Sequence, residues 1–178
     1  RMDADQIRDT MLHAAGRLSR EFGGANINGA KDINANESSA ANIEYNYVFT
    51  DVRRSLYTPA FRNRRHEVFD VFDFGDINNS VGVREASTVA PQALFFLNSA
   101  FAGEQAKAVG ERLAVSHPDP IAAVDRVSLV ILGRHPSQTE AKVLSALYNS
   151  CPREEDAAQR LARVAHVLFA SVDFRYIR

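Results

Sequence analysis

Along much of this chain apolar side chains recur every three or four residues, and most such stretches are bounded by a residue that starts or stops a helix. Asp3 and Gln6 read as a capping box, after which Ile7, Met11, Leu12, Ala15, Leu18 and Phe22 predict a first helix over about residues 4 to 22, stopped by Gly23 and Gly24. Thr88 precedes Val89, Ala90 and Pro91, with proline in the first helical turn where its missing N–H costs nothing, and predicts a helix running through Ala93, Leu94 and Leu97. Ser99 caps a stretch carrying Ala102, Ala106, Val109 and Leu113. Asp119 and Pro120 open another with Ile121, Val124, Val127 and Ile131, closed by Gly133. Ser137 and Glu140 form an S-x-x-E box for a helix bearing Val143, Leu144 and Leu147, which Cys151 and Pro152 end. Leu161, Val164, Ala165, Leu168 and Val172 predict a last helix over about 154 to 173, expected to pack on the one at about 120 to 133.

Two regions break this rhythm. From Ala25 to Asn42 the chain is rich in Asn, Ala, Ser and Gly and poor in large apolar side chains, which predicts a long, weakly protected loop. Tyr45, Tyr47 and Phe49 alternate with Asn46 and Val48, the spacing of one short strand. In HEVFDVFDF a helical wheel puts Val68, Phe69, Val71 and Phe72 in one arc and Glu67, Asp70 and Asp73 opposite, so the helix reading wins over a strand whose faces would mix carboxylates with aromatics. The expectation is a mainly α-helical, bundle-like single domain over 1–178 with a long irregular N-terminal loop and at most one or two short strands.

Composition narrows the classes. A chain of 178 residues buries enough surface, about 70% of what it exposes unfolded, to fold without a metal or disulfide. The 46% hydrophobic content argues against disorder over most of the length. A net charge of -1 gives no long-range pull toward nucleic acid or an anionic membrane, and no apolar run reaches the about 20 residues of a membrane span. The single cysteine, Cys151, rules out an internal disulfide and a cysteine-rich zinc site. The five histidines, His13, His66, His117, His135 and His166, show no pairing at metal-ligand spacing and read as surface or capping residues; no nucleophile elbow, phosphate loop or dinucleotide fingerprint occurs. Ser87, Thr88 and Ser99 read as helix caps, no cofactor is implied, and no catalytic residue is singled out.

The chemistry concentrates in RRSLYTPAFRNRRHEVFDVFDFGD, residues 53 to 76. Arg64 and Arg65 stand where a helix begins, a placement that opposes its macrodipole. One reading is a structural network in which Arg53, Arg54, Arg62, Arg64 and Arg65 meet Asp51, Asp70, Asp73 or Glu85. A second is an anion-binding patch of these arginines with Tyr57 and Arg84. A third is a cation site in DFGDINNS, whose spacing departs from the EF-hand register.

RRSLYTPAFR, FDFGD and then Arg84 ahead of STVAPQALFFLN follow the order and approximate spacing of the planctomycete-specific C-terminal domain of unknown function (PSD-one type) found in large exported proteins, which the chain resembles. DADQIRDTMLHAAGRL and VAHVLFASVDFRYI are similar to that family's ends, and Gly75 replaces a proline usual in its FDxPD-like element. The resemblance implies the C-terminal module of an exported or periplasmic multidomain protein, following cytochrome-c-like domains, and it supplies no catalytic residues. The reading is a non-catalytic structural or interaction module partnered by upstream domains of the same polypeptide. The rival is a module that binds or processes acidic, sulfated or uronic, carbohydrate through an arginine and tyrosine surface. Metal-assisted hydrolysis by Asp70, Asp73 and Asp76 ranks below both, because no base or complete ligand set is visible.

Overall fold

The computed structural model describes residues 1–25, 27, 44–80, 82–84, 87–117 and 119–176. It is mainly helical: α1 (Ala4–Ala14), α2 (Glu67–Val71), α3 (Ala90–Asn98), α4 (Ala100–Ser116), α5 (Pro120–Leu132), α6 (Gln138–Ser150) and α7 (Ala157–Ala170), with short 3-10 turns at Ser55–Tyr57 and Asp173–Arg175. The chain falls into two compact units, one of Asp3–Asp9 with Leu18–Thr88, the other of Arg1–Met2, Thr10–Arg17 and Val89–Arg178. Most of the loop expected over Ala25 to Asn42 lies outside the described residues.

The larger unit is a helical core whose caps follow the sequence closely. Ser99 Oγ accepts from Ala102 N at 3.3 Å, Asp119 Oδ2 from Ala122 N at 2.8 Å, and Ser137 and Glu140 close a reciprocal capping box on α6. A box of the same kind, Asp156 with Gln159, opens α7, so that helix starts at 157 and the expected start at 154 is corrected. α3 has Val89 as its N-cap with no side-chain cap bond; Thr88 does not cap it, because it stands one residue before the cap position. α7 buries Leu161, Val164, Ala165, Leu168 and Phe169 and packs on α5 as expected, but its most extensive partner is α4. That contact depends on Gly110: a Cβ there would lie 2.3 Å from Ala158 O and 2.7 Å from Ala162 N. Glycine thus lets two backbones approach at a distance any side chain forbids. An edge-to-face chain of Phe95, Phe96, Phe174 and Phe169, with ring centroids 5.1 to 5.7 Å apart, fills the core beside it. Ile121, Val143 and Val172, counted above among the apolar positions of their helices, are exposed.

α1 stops at Ala14, well before the expected 22. The stop is a Schellman arrangement: Arg17 N donates to Leu12 O and Gly16 N to His13 O, both at 2.9 Å, with Gly16 left-handed at φ +72. Arg112 Nη2 adds a bond to Ala14 O at 2.6 Å. The glycine that ends the helix is therefore Gly16, and Phe22, beyond it, is 92% exposed.

In the smaller unit the expected strand at Tyr45 to Phe49 does not form. Residues 44–46 are helical, 47–50 are irregular, and the rings of Tyr47, Phe49 and Phe61 pack in T-shaped and tilted pairs at 5.0 to 6.4 Å instead of lying on a ladder. The only β pairing among the described residues is an isolated parallel bridge between Ser19 and Arg53. α2 is a single short helix that buries Val68, Phe69 and Phe72 and exposes Glu67 and Asp70, as the wheel requires.

Two glycines of α4 make a paired prediction. Gly110→Ala should destabilise the protein by about 1 to 3 kcal/mol, because the added methyl forces α4 off α7. Gly103→Ala, where nothing lies within 4 Å of the added methyl, should instead stabilise by about 0.4 to 1 kcal/mol through the unfolded chain. Urea denaturation of both variants measures this; equal shifts would contradict the close approach.

Candidate functional site

The arginine-rich segment is organised around a residue the sequence reading left out. Arg8, on α1, is 1% exposed. Its Nη1 donates to Arg53 O at 3.0 Å and lies 3.4 Å from Ser55 Oγ, and its Nη2 donates to Asp51 O. The nearest carboxylate, Asp9, stands 3.7 Å away, and Arg8 Nε has no hydrogen-bond partner among the described residues. Burial pulls the Arg8 pKa down, and the charges of Asp9 and Asp51 pull against it. One signal could have found it: Arg8 precedes Met11, Leu12 and Ala15 at i+3, i+4 and i+7, on the apolar face of α1.

Around this guanidinium the 51 to 55 strip is held by its own side chains. Asp9 Oδ1 accepts from Ser55 N at 2.8 Å and Ser55 Oγ at 2.7 Å. Asp51 takes Arg53 N at 2.8 Å through one oxygen, and Arg53 Nε and Nη2 at 2.9 and 2.7 Å through the other. Burial pushes the Asp51 carboxyl up, but these bonds outweigh it and hold it below the ordinary carboxylate range, while the same pairing raises Arg53. The Arg53 fork also donates to Gly23 O at 2.7 Å and Ala25 O at 2.6 Å. Its plane lies over the Tyr57 ring at 4.8 Å, and the Tyr57 hydroxyl accepts from Gly23 N at 2.9 Å.

The other predicted residues divide between internal ties and open solvent. Arg64 donates to the carbonyls of Glu44 and Tyr45 and covers the Phe49 ring at 5.6 Å. Arg65 lies 3.3 Å from Asp70 in a partly exposed pair. Arg84 pairs with Asp5 and stacks on Phe74 at 4.9 Å. Arg54 is 65% exposed with Asp9 at 4.0 Å, and Arg62 is exposed. Asp73 accepts from Ser87 N at 2.8 Å and Ser87 Oγ at 2.7 Å, so Ser87 serves Asp73 and caps no helix. Asp73 is also left-handed at φ 56, the position that ends α2, which aspartate adopts more readily than most residues. Asp76 caps its own turn through Asn78 N and the Asn79 amide, which hold its carboxyl below the usual range. Glu85 lies outside the described residues. Asp5, Asp9 and Ser55 were missed with Arg8; each is distant in sequence from its partner, so no local pattern marked it.

Among the described residues no group of three or more His, Cys, Asp or Glu side chains is placed to hold a metal ion, and no helix is long and apolar enough to cross a membrane. His66 is buried between the rings of Phe49 and Phe69, and its Nδ1 accepts from Val68 N at 3.2 Å as the N-cap of α2. Cys151 is buried, with its Sγ 3.3 Å from Leu147 O.

The family model PSD1, described as "Protein of unknown function (DUF1553)", matches residues 1–148. The chain belongs to this family. The match spans RRSLYTPAFR, FDFGD and the whole smaller unit, and it ends inside α6, so VAHVLFASVDFRYI lies beyond it. No curated protein and no solved structure matches the chain.

The geometry separates the arginines of this PSD1 chain by their effect on stability. Arg53→Ala leaves one oxygen of the Asp51 carboxylate and two carbonyls without their side-chain donor and should cost about 1 to 3 kcal/mol. Arg65→Ala breaks only a partly exposed pair and should cost under about 1 kcal/mol. Chemical denaturation ranks the two; a cost for Arg65→Ala equal to or above that for Arg53→Ala would contradict the arrangement.

Proposed function

We propose that this PSD1 chain is a non-catalytic structural or interaction module of an exported multidomain protein, docking against the domains upstream in the same polypeptide. The observation that carries the reading is the direction of the arginine forks. Arg8, Arg53 and Arg64 spend their donors on carbonyls of the chain itself, and Arg53, Arg65 and Arg84 meet its own carboxylates. Chemistry that would otherwise bind a ligand thus holds irregular backbone in place, as fixed forks do well. The docking half is supported by α3, which turns Phe95 and Phe96 inward yet also presents Leu94 and Leu97, 54% and 56% exposed, to solvent. A helix apolar on both faces suits a further covering surface. Export and the upstream partner rest on the resemblance of its motifs.

The exposure of Arg54 and Arg62 favours a second reading, acidic carbohydrate held by those two residues. Tyr57, whose hydroxyl and ring face are both engaged, contributes little to it.

Titration calorimetry of the purified chain against the separately produced upstream region is the test. The expected result is a saturable complex that the double variant Leu94→Asp, Leu97→Asp abolishes while its melting temperature is kept. Absence of a complex, together with low-salt retention of the parent on a sulfated polysaccharide matrix that Arg54→Ala, Arg62→Ala removes, would replace this reading with the second.

A further inference from the structure

His66 is a titratable side chain placed where a proton does not fit. It is 4% exposed, its ring lies 5.7 Å from Phe49 and 5.8 Å from Phe69, and its Nδ1 is committed as an acceptor to Val68 N. Among the described residues, the charge that acts on it comes from α1 and is a cation, the buried guanidinium of Arg8. The two carboxylates nearest that guanidinium are engaged elsewhere, Asp9 by Ser55 and Asp51 by Arg53. Protonation would turn Nδ1 from acceptor to donor, set two N–H groups against each other and add a second cation beside Arg8.

We propose that His66 is an acid-sensitive clasp: on taking up a proton it lets go of the first turn of α2 and frees the segment bearing Val68, Phe69 and Phe72. The apolar face of that segment, buried in the closed form, then becomes available in acid. The sign follows from linkage. Burial, with the Arg8 charge adding to it, lowers the His66 pKa from 6.5 to about 3. A depressed folded-state pKa means that the closed form keeps its full advantage above pH 6.5 and loses it progressively as pH falls toward about 3. In that window the opened population rises by about tenfold per pH unit.

Amide hydrogen exchange on the full chain, from about pH 7 to about pH 4.5 and corrected for the intrinsic pH dependence of exchange, reads this directly. The opening constants of Val68 and of Phe72, whose N–H bonds Val68 O at 3.0 Å, should rise by about tenfold per pH unit. His66→Asn keeps a side-chain acceptor at the cap without a titrating group and should remove the slope at Val68. A flat opening constant in the parent, or the same slope in the variant, overturns the proposal. The ring C–H resonances of His66 give a reading that needs no variant: they should show a neutral imidazole at about pH 5, and half-protonation near the ordinary histidine value would equally overturn it.

Discussion

A buried guanidinium is among the most demanding groups a small fold can carry, since five N–H donors must be met where water cannot reach. In the smaller unit Arg8 imposes that demand, and neighbouring features follow from it. The carbonyls of Asp51 and Arg53 turn toward α1 because they serve as its acceptors. Carbonyls turned inward in this way are not offered to a neighbouring strand, and the isolated bridge at Arg53 is the one β pairing among the described residues. Asp51, two residues before Arg53, closes on that side chain. Ser55 in turn holds Asp9 in place through two bonds. Folding here is directed by polar satisfaction as much as by apolar burial.

The larger unit obeys a different constraint, which made it far easier to read. Its helices announce themselves by period and are delimited by local caps, so Ser99, Asp119, Ser137 and Gly133 mark their own boundaries. Short-range rules sufficed there because each cap's partner lies within a turn of it. The smaller unit was opaque for the same reason reversed: Arg8 meets Asp51 and Arg53, Asp5 meets Arg84, and Asp73 meets Ser87, pairings that no local pattern encodes. The strand expected at Tyr45 to Phe49 failed because alternation describes a half-buried surface, and an aromatic cluster presents one too. The first helix is shorter than its apolar period predicts because Gly16 already takes the left-handed turn that ends it, ahead of Gly23 and Gly24.

Arg64 and Arg65 illustrate how a broken local rule resolves. Positive charge at the start of α2 opposes the helix dipole. Arg64 is turned back to carbonyls at Glu44 and Tyr45, and Arg65 reaches forward to Asp70 one turn on, so neither guanidinium is left facing the first N–H groups alone. The N-cap itself is a histidine, neutral in its buried setting, which gives the helix an acceptor without adding to the charge.

The close seam at Gly110 also bears on where this domain divides. The family match ends at 148, but the surface that Gly110 fits lies at Ala158 and Ala162, and the aromatic chain of the core closes on Phe169 and Phe174. Arg134 adds a tie across the same line, binding Glu140 on one side of it and Asp173 on the other. The stretch that the family model matches is thus shorter than the stretch that packs together. A truncation drawn at the edge of the match would strip α4 of its principal neighbour and leave its buried face, from Ala102 to Leu113, in water.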